Sequence, residues 1–477
     1  MGDCKGLSFE ECEEVVLQKA VDAIEKKQGK ELMGEKDTKL MLKIAEDFLR
    51  KHKCVMYGGT AVNNILPKAM QFYDYEYELP DYDAYNPDAL KLVKELTDIY
   101  LKHFKDVEAK TGVHHNTYKV FVNQHAIVDL SYMHPDLFRR ISADAKTVKG
   151  LKYAPVNFLR MGMYLELSRP NGDVSRWGKV YKRLRLLNEA FPFGRSKCAM
   201  SKVKIPEDVY QQTYKTLVAD DVVFIGGFAN KMYLHHASGT NIENLTEFDV
   251  ISTDPLKTCI RLMDDLKEHN PSLEVHDAIG SLIEKYHSVS IKGQYLLFVF
   301  TPVACHSYNK VDDQKGNTVK IGTIDTLFSF YLTFLYANRP HFDEHRILCL
   351  CQTLFIIQQQ HRLTRKKELQ RFTMNCYGTH KTLGDMRVEK KSMYAKLTRG
   401  TPEFEEWFLQ YPSHAPKKLI KSPAKSSAKS PAKSSAKSPA KSPAKSSAKS
   451  PAKSSAKSPA KSSAKSPATK RKSPKQK

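Results

Sequence analysis

The sequence predicts an α/β (α+β) protein with two similar folded units, C-terminal helices and a disordered basic tail. An apolar strand runs into two glycines and then a helix at VMYGGTAVNNIL, residues 55–66, and again at VVFIGGFANKMYL, residues 222–234. Strand and helix patterns alternate after each of these motifs, which is typical of mixed sheets. Beyond Pro416 comes a KSPAKSSAKSPAK repeat, whose largest apolar residue is Ala and which therefore cannot offset the entropy of folding.

The length of 477 residues suits two domains of ordinary size plus this tail. We expect a first domain with N-terminal helices over residues 1–200 and a second domain with helices over residues 201–416. The disordered Lys/Ser/Pro/Ala tail would occupy residues 417–477.

The first half is expected to contain helices at 9–28, 38–52, 60–66 and 87–103, strands at 54–57, 118–123 and 125–133, and a long helical stretch over 157–188. The second half repeats this order, with strands at 222–225, TEFDVIST, SVSI and QYLLFVFT and helices at 228–237, 255–269, 275–286 and within 322–410. Superposing the halves puts Gly58 on Gly226, Asp81 on Glu247, Asp83 on Asp249 and Asp129 on Val299. Chance similarity of two α/β segments stays open as the alternative.

Charge and cysteine content restrict the class of protein. The tail holds 18 Lys, one Arg and no acid, so 19 of the 23 net positive charges lie there and residues 1–416 carry only +4. The nine cysteines are scattered without a C-x-x-C pair, which predicts reduced thiols and neither a disulfide framework nor a zinc ribbon. The apolar run at 326–337 is too short to span a bilayer and predicts a buried helix.

The first Gly-Gly turn is a candidate phosphate site. Gly58 and Gly59 carry no Cβ, so their backbone amides can approach a phosphate closely. Thr60 adds a hydroxyl at the same helix N-terminus, where the helix dipole favours an anion. A plain structural turn is the alternative for this motif taken alone.

Three acids downstream strengthen the case for a functional site. Asp81 and Asp83 are two residues apart, so on an extended strand both project from one face and can share a metal ion. Asp129 interrupts an apolar strand pattern, where a carboxylate must be paired, hydrogen-bonded or bound to metal. A satisfied structural Asp is the alternative for Asp129 alone.

The motifs MYGGTA, LPDYDAY and VDLSYM resemble the catalytic core of the poly(A) polymerases of large nucleocytoplasmic DNA viruses. These enzymes belong to the polymerase-β-like nucleotidyltransferase superfamily, whose signature is a Gly-Gly turn, a D-x-D pair and a third Asp. The resemblance implies that Asp81, Asp83 and Asp129 are catalytic and hold two Mg²⁺ (or Mn²⁺) ions. It also implies that ATP binds at Gly58, Gly59 and Thr60, and that the second domain is a degenerate nucleotidyltransferase copy.

Residues 159–188 also resemble that family. We expect Ser175 to cap a helix whose basic face carries Arg176, Lys179 and Arg183. Solvated surface is the ordinary role of such a face, but beside a triphosphate site Lys179 and Arg183 are candidates for binding ATP or the RNA backbone.

The resemblance implies a template-independent polynucleotide adenylyltransferase that adds AMP from ATP to RNA 3′-hydroxyl ends, as in viral mRNA polyadenylation. Another terminal nucleotidyltransferase, using UTP or CTP or making oligoadenylate, and a non-catalytic RNA- or chromatin-binding protein stay open as alternatives. The expected partners are RNA and ATP but no membrane, with a homodimer or a processivity subunit left open. The expected location is the host cytoplasm or viral factory, with the virion and nucleus as further alternatives. The basic tail is expected to bind nucleic acid without sequence preference, or else to serve only solubility.

Overall fold

The computed structural model describes residues 4–193, 205–238, 247–313, 316–337, 344–361 and 369–412. The predicted disorder of residues 417–477 therefore concerns a part of the chain outside the described ranges. Within them, the predicted α/β class with mixed sheets is confirmed.

The first half of the chain forms one mixed sheet with helices around it. Its helices are α1 (Phe9–Gly34), α2 (Lys36–Lys51), α3 (Gly58–Ile65), α4 (Ala89–Leu101), α5 (Pro135–Ala143), α6 (Val156–Leu167) and α7 (Trp177–Ala190). Its strands are β1 (Val55–Tyr57), β2 (Tyr82–Asn86), β3 (Val107–Thr111), β4 (Thr117–Val122), β5 (His125–Tyr132), β6 (Lys146–Val148) and β7 (Leu151–Tyr153).

Local sequence explains how several of these elements begin and pack. Ser8 and Glu11 form a capping box at the start of α1. On α2, Met41, Ala45 and Phe48 recur at helical spacing and are buried.

The second half forms a second mixed sheet. Its elements in chain order are α8 (Glu207–Ala219), β8 (Val223–Ile225), α9 (Gly226–Ser238), β9 (Phe248–Ile251), α10 (Pro255–Asp265), β10 (Pro271–Asp277), β11 (Lys285–Ile291), β12 (Gln294–Phe300), β13 (His306–Asp312) and β14 (Thr318–Gly322). The remaining elements are α11 (Ile324–Phe334), α12 (Glu344–His361), β15 (Cys376–Tyr377), α13 (Leu383–Lys396), α14 (Pro402–Phe408) and β16 (Gln410–Tyr411). Of these, β16 joins the first sheet, where it pairs with β3.

The two sheets share one topology. The first runs β16-β3-β4-β5-β2-β1-β7-β6 and the second β10-β11-β12-β9-β8-β14-β13-β15. In the first sheet, β1 pairs antiparallel with β2, and β2 pairs parallel with β5, the second strand of the β4–β5 hairpin. In the second sheet, β8 pairs antiparallel with β9, and β9 pairs parallel with β12, the second strand of the β11–β12 hairpin. Seven strands therefore match in order and direction, which the faint sequence repeat anticipates.

Helix α11 forms much of the core of the second half and packs against α6. Its whole length from Ile324 to Phe334 is buried apart from Thr333, so the prediction of a buried helix in this apolar run is confirmed. No helix in the described part of the chain is both long and apolar enough to cross a bilayer.

Two predicted helices are wrong in extent or kind. The stretch 157–188 forms two helices, because Pro170 lacks a backbone N–H and lies in an irregular segment between α6 and α7. The predicted helix at 275–286 is instead the end of β10, a connecting turn and the start of β11, and the two strands pair antiparallel.

The expectation of reduced thiols throughout is also wrong for this structure. Cys4 pairs with Cys12, and Cys305 pairs with Cys376, as disulfides. The second pair joins residues far apart in sequence, because β13 and β15 lie side by side and place Ser307 opposite Cys376. Cys54, Cys259 and Cys351 are free and buried.

A buried ion pair ties α11 to the chain after α12. Arg371 donates from Nε to Asp325 Oδ2 at 2.7 Å and from Nη2 to Asp325 Oδ1 at 2.5 Å. Their side chains are only 5% and 1% exposed, so each charge depends on the other for compensation.

We predict that Asp325→Asn lowers the free energy of unfolding by about 3 to 5 kcal/mol, since it leaves the Arg371 guanidinium buried without its counter-charge. Lys381→Ala, which breaks the exposed Lys381–Glu389 pair, is the matched control and should cost no more than about 0.5 kcal/mol. Urea denaturation measures both. Similar losses in the two variants would contradict the structural role assigned to the buried pair.

Candidate active site

The sheet register brings the three predicted carboxylates together. Asp83 on β2 lies directly beside Asp129 on the parallel strand β5, and Asp81 lies just before β2. Ligand oxygen atoms from the three side chains all lie within 4.8 Å of one another. In the described part of the chain this is the one such group of three acidic, His or Cys residues.

Gly58 allows this approach. Its φ of +72° lies in the left-handed region, and a Cβ there would overlap Oδ2 of Asp83. Strands β1 and β2 are antiparallel, and Tyr57 at the end of β1 lies opposite Asp83. Because Gly58 follows Tyr57 and starts α3, this turn lies directly beside the Asp83 carboxylate. Any residue other than glycine at this position would push the strand or the carboxylate away.

The clustered negative charge shifts the proton affinity of the site. Burial, followed by the nearby carboxylates of Asp81 and Asp129, raises the pKa of Asp83 from 3.8 to about 7. Burial also raises the pKa of Asp129, although the bond from Lys119 opposes this. Without a further cation, the site is therefore electrostatically unfavourable in its fully ionised form.

Lys119 on β4 donates a hydrogen bond to Oδ2 of Asp129. The other oxygen of that carboxylate, Oδ1, is buried and has no hydrogen-bond partner. A buried oxygen with no donor, next to two further carboxylates, fits a divalent cation, which prefers oxygen ligands. The residues present are thus suited to hold a metal ion.

Gly59 and Thr60 continue the turn into α3. The Thr60 hydroxyl is buried and donates to the backbone carbonyl of Asp81 at 2.7 Å, so it joins the turn to the start of the D-x-D segment. The start of α3 has no side-chain cap. Its first-turn backbone amides therefore have no partner from a capping side chain, and amides at a helix N-terminus are suited to bind a phosphate.

Of the two basic residues predicted on α7, Arg183 lies against the turn. Its Nη1 atom lies 2.8 Å from the position that a Cβ on Gly59 would take, and its Nη2 donates to the Tyr73 hydroxyl. Lys179 is exposed. The predicted cap at Ser175 is wrong, because Ser175 lies in a 3-10 turn and its hydroxyl donates to Asp173.

Sequence reasoning missed Lys119 and Tyr73. Lys119 faces Asp129 only because a bulge shifts the register of the β4–β5 hairpin between Val120 and Phe121. Tyr73 lies in the segment between α3 and β2, where its role could be suspected only from the dense aromatic composition of QFYDYEYEL.

The second sheet repeats the turn without the acid cluster. Gly226 also has a φ of +72°, and a Cβ there would overlap the Asp249 carboxylate. Arg346 donates to Glu247, the counterpart of Asp81, at 2.5 Å. Lys231 lies buried near this pair, and its pKa falls from 10.5 to about 8, chiefly because of burial.

The prediction that Val299 is the counterpart of Asp129 is wrong. Asp249 is the register partner of Phe298, so Phe298 and not Val299 stands where Asp129 stands in the first sheet. Ser288 lies opposite Phe298, in the place of Lys119. The second copy thus lacks both members of the Lys119–Asp129 pair, and protein cations lie near Glu247, one of the two acids that remain.

A mixed sheet that presents three converging carboxylates next to a Gly-Gly turn and a helix N-terminus defines a nucleotidyltransferase. Comparison with known proteins narrows the class. Residues 43–173 match the family model described as the poly(A) polymerase catalytic subunit. The resemblance inferred from the motifs is therefore confirmed.

Individual relatives agree with this assignment. A protein of Acanthamoeba polyphaga mimivirus, named as a poly(A) polymerase catalytic subunit, is 22% identical over 453 residues, covering 82% of this chain and 74% of its own length. A protein of the same name from African swine fever virus (strain Badajoz 1971 Vero-adapted) is 33% identical over 159 residues. That match covers 32% of this chain and 33% of the viral protein.

The fold also matches a solved structure. The crystal structure of the Megavirus polyadenylate synthase superposes with a TM-score of 0.70 and 18% sequence identity. The match covers 82% of this chain and 84% of that one, so both sheets share the architecture of the Megavirus protein.

We predict that Asp83→Asn stabilises the metal-free protein at alkaline pH. Since the folded state raises the pKa of Asp83 above its ordinary value, the wild type loses stability as the pH rises towards and through about 7. Asn cannot ionise, so the variant's advantage should grow by roughly 2 kcal/mol between about pH 5 and pH 8.

Urea denaturation in EDTA at several pH values measures this difference. Glu76→Gln is the matched control, because Glu76 is an exposed acid outside the cluster, with its side chain 77% exposed. A difference between wild type and Asp83→Asn that does not change with pH would contradict the electrostatic description of the site.

Proposed function

We propose that this chain is a template-independent poly(A) polymerase that transfers AMP from ATP to the 3′-hydroxyl of RNA and releases pyrophosphate. The observation that carries the proposal is the convergence of Asp81, Asp83 and Asp129 next to the Gly58 turn, in a segment of the poly(A) polymerase catalytic subunit family. The names of the mimivirus and African swine fever virus relatives support the same activity.

In this reaction a bond forms between the RNA 3′-oxygen and the α-phosphorus, and the bond from that phosphorus to pyrophosphate breaks. Asp81, Asp83 and Asp129 would together hold the divalent cations, with the unpartnered Oδ1 of Asp129 available as one ligand. When bound, such ions lower the pKa of the attacking hydroxyl and neutralise the triphosphate.

The protein's own contribution is largely positioning. The first turn of α3 directs backbone amides towards the triphosphate, and the guanidinium of Arg183 lies beside the same turn. The bond from Thr60 to the Asp81 carbonyl holds the turn against the D-x-D segment, so phosphates and carboxylates keep a fixed separation.

We predict that the purified protein, with an unstructured RNA primer and Mg²⁺ or Mn²⁺, incorporates AMP in preference to UMP, CMP and GMP. The double change Asp81→Ala and Asp83→Ala should lower the rate by at least about 1,000-fold while RNA affinity changes little, because the acids act on the reacting groups. Primer extension with each NTP separately, together with a filter-binding measurement, tests both parts.

Glu76→Ala serves as the matched control, since this exposed acid also belongs to an alternating acidic run but lies outside the cluster. Preferential addition of UMP or CMP would favour another terminal transferase. No addition of any nucleotide by the folded wild type would favour a non-catalytic RNA-binding protein.

We further propose that residues 1–200 form the catalytic domain and residues 201–416 a second, inactive nucleotidyltransferase-like domain. The second sheet supports this division, because it keeps the turn and the topology but lacks the third acid. The viral relatives suggest action in the host cytoplasm or viral factory, with mRNA as the substrate. The term catalytic subunit in their names favours a processivity partner or a second copy of the chain as a further component.

The tail is proposed to hold RNA near the site. Its 19 positive charges without an acid should bind phosphates by releasing counterions. An RNA chain bound there would be present at a raised effective concentration after each addition, so that more nucleotides are added in one binding event.

We predict that deletion of residues 417–477 weakens RNA binding and flattens the dependence of log Kd on log salt, because each lost phosphate contact removes about 0.7 from the slope for single strands. The rate of a single AMP addition should stay within about twofold. A tail with the same composition in scrambled order is the matched control and should behave as the wild type. An unchanged salt slope after deletion would contradict the role.

A further inference from the structure

The segment between α3 and β2 is anchored to α3 by two asparagines. The buried Asn63 side chain accepts hydrogen bonds from the backbone N–H of Phe72 at 2.7 Å and of Tyr73 at 2.9 Å. The Tyr75 hydroxyl donates to Asn64 at 3.0 Å. This segment, which lengthens the chain between the Gly-Gly turn and the D-x-D pair, therefore has a defined path beside the turn.

The same segment holds Arg183 on α7. Its guanidinium lies 5.0 Å from the ring centre of Phe72 and 5.4 Å from that of Tyr73, and it donates to the Tyr73 hydroxyl. Cation–π contacts to two rings and one hydrogen bond restrict an otherwise flexible side chain.

These groups lie directly against the glycine turn. A Cβ on Gly59 would be 2.6 Å from the Tyr73 hydroxyl oxygen and 2.8 Å from Arg183 Nη1. The phenol and the guanidinium thus form one wall of the space above the first turn of α3, which has no side-chain cap. At the preceding residue of the turn, Gly58, the space that a Cβ would take is filled by the Asp83 carboxylate.

We propose that Tyr73 is a positioning residue for the nucleotide's triphosphate, and that it acts by holding the Arg183 guanidinium over the Gly58–Gly59 turn. This inference rests on the proposed function and adds to it the residue that orients the phosphate-binding cation. The ligand class is a polyphosphate in contact with the amides of α3 on one side and with the guanidinium on the other.

Physical chemistry favours this role over direct contact with the base. Guanidinium binds phosphate oxygens through a planar fork, so its orientation decides how many bonds it can form. A side chain already held in place loses less entropy when the ligand binds. The Tyr73 hydroxyl accepts a hydrogen bond from Arg183, so it is placed to hold the guanidinium.

The test measures binding of Mg²⁺–tripolyphosphate and of Mg²⁺–ATP to the full chain by titration calorimetry without RNA. About 0.3 M NaCl suppresses binding to the basic tail. Tyr73→Phe should weaken the affinity for both ligands about 3- to 10-fold, because the ring remains but the hydroxyl bond is lost. Tyr73→Ala should weaken it about 10- to 50-fold, since the ring contact is lost as well.

A double-mutant cycle tests whether Tyr73 acts through Arg183. In an Arg183→Ala background, Tyr73→Ala should change tripolyphosphate affinity by less than about twofold. Tyr75→Phe is the matched control, because it removes a hydroxyl bond from the same segment without touching Arg183, and its affinity should match the wild type. In AMP addition, Tyr73→Phe should raise KM for ATP and leave kcat within about twofold.

Three results would overturn the inference: a wild-type chain that does not bind tripolyphosphate at millimolar concentration, equal affinity in the wild type and Tyr73→Ala, or a loss of affinity for ATP alone. The last would assign Tyr73 to the base. If no AMP is added but tripolyphosphate binding depends on Tyr73 as described, the proposed function fails and the polyphosphate site stands.

Discussion

The structure of the site depends on one close approach, that of the Asp83 carboxylate to the backbone of Gly58. Because the glycine takes a left-handed φ and has no Cβ, the strand that carries Asp83 can lie directly beside the turn that starts α3. The parallel pairing of β2 with β5 then fixes Asp129 next to Asp83. Carboxylates and helix amides thus face one small volume, where the negative charge requires cations and the amides favour phosphates.

The two halves of the chain share this backbone arrangement but differ in the acids that it carries. Seven strands of each sheet match in order, and both sheets have the same turn and the same approach of an aspartate to glycine. In the second sheet, Phe298 replaces the third acid, and Arg346 and Lys231 lie near Glu247. Among the described residues, the backbone arrangement of the site thus recurs in the second sheet without the three converging carboxylates of the first.

The sequence predicts those features that lie within one continuous segment. Each of three motifs can be recognised within one short stretch of sequence: the Gly-Gly turn, the D-x-D pair and the strand around Asp129. The resemblance to the viral poly(A) polymerases then predicts that the three motifs form one site. Contacts across elements were not predictable in the same way. Lys119 faces Asp129 because of one bulge residue, since a hairpin without the bulge would place Val128 opposite the lysine. The pairing of Tyr73 with Arg183 depends on how α7 packs beside α3, which no local pattern encodes.

The central claim is that the three carboxylates bind divalent cations beside the glycine turn. Anomalous diffraction from crystals grown with Mn²⁺ and a non-hydrolysable ATP analogue measures this directly. We expect Mn²⁺ peaks within about 2.0 to 2.6 Å of oxygen atoms from Asp81, Asp83 and Asp129, with the triphosphate against the first turn of α3. A triphosphate bound elsewhere, or crystals with no Mn²⁺ at these carboxylates, would contradict the account.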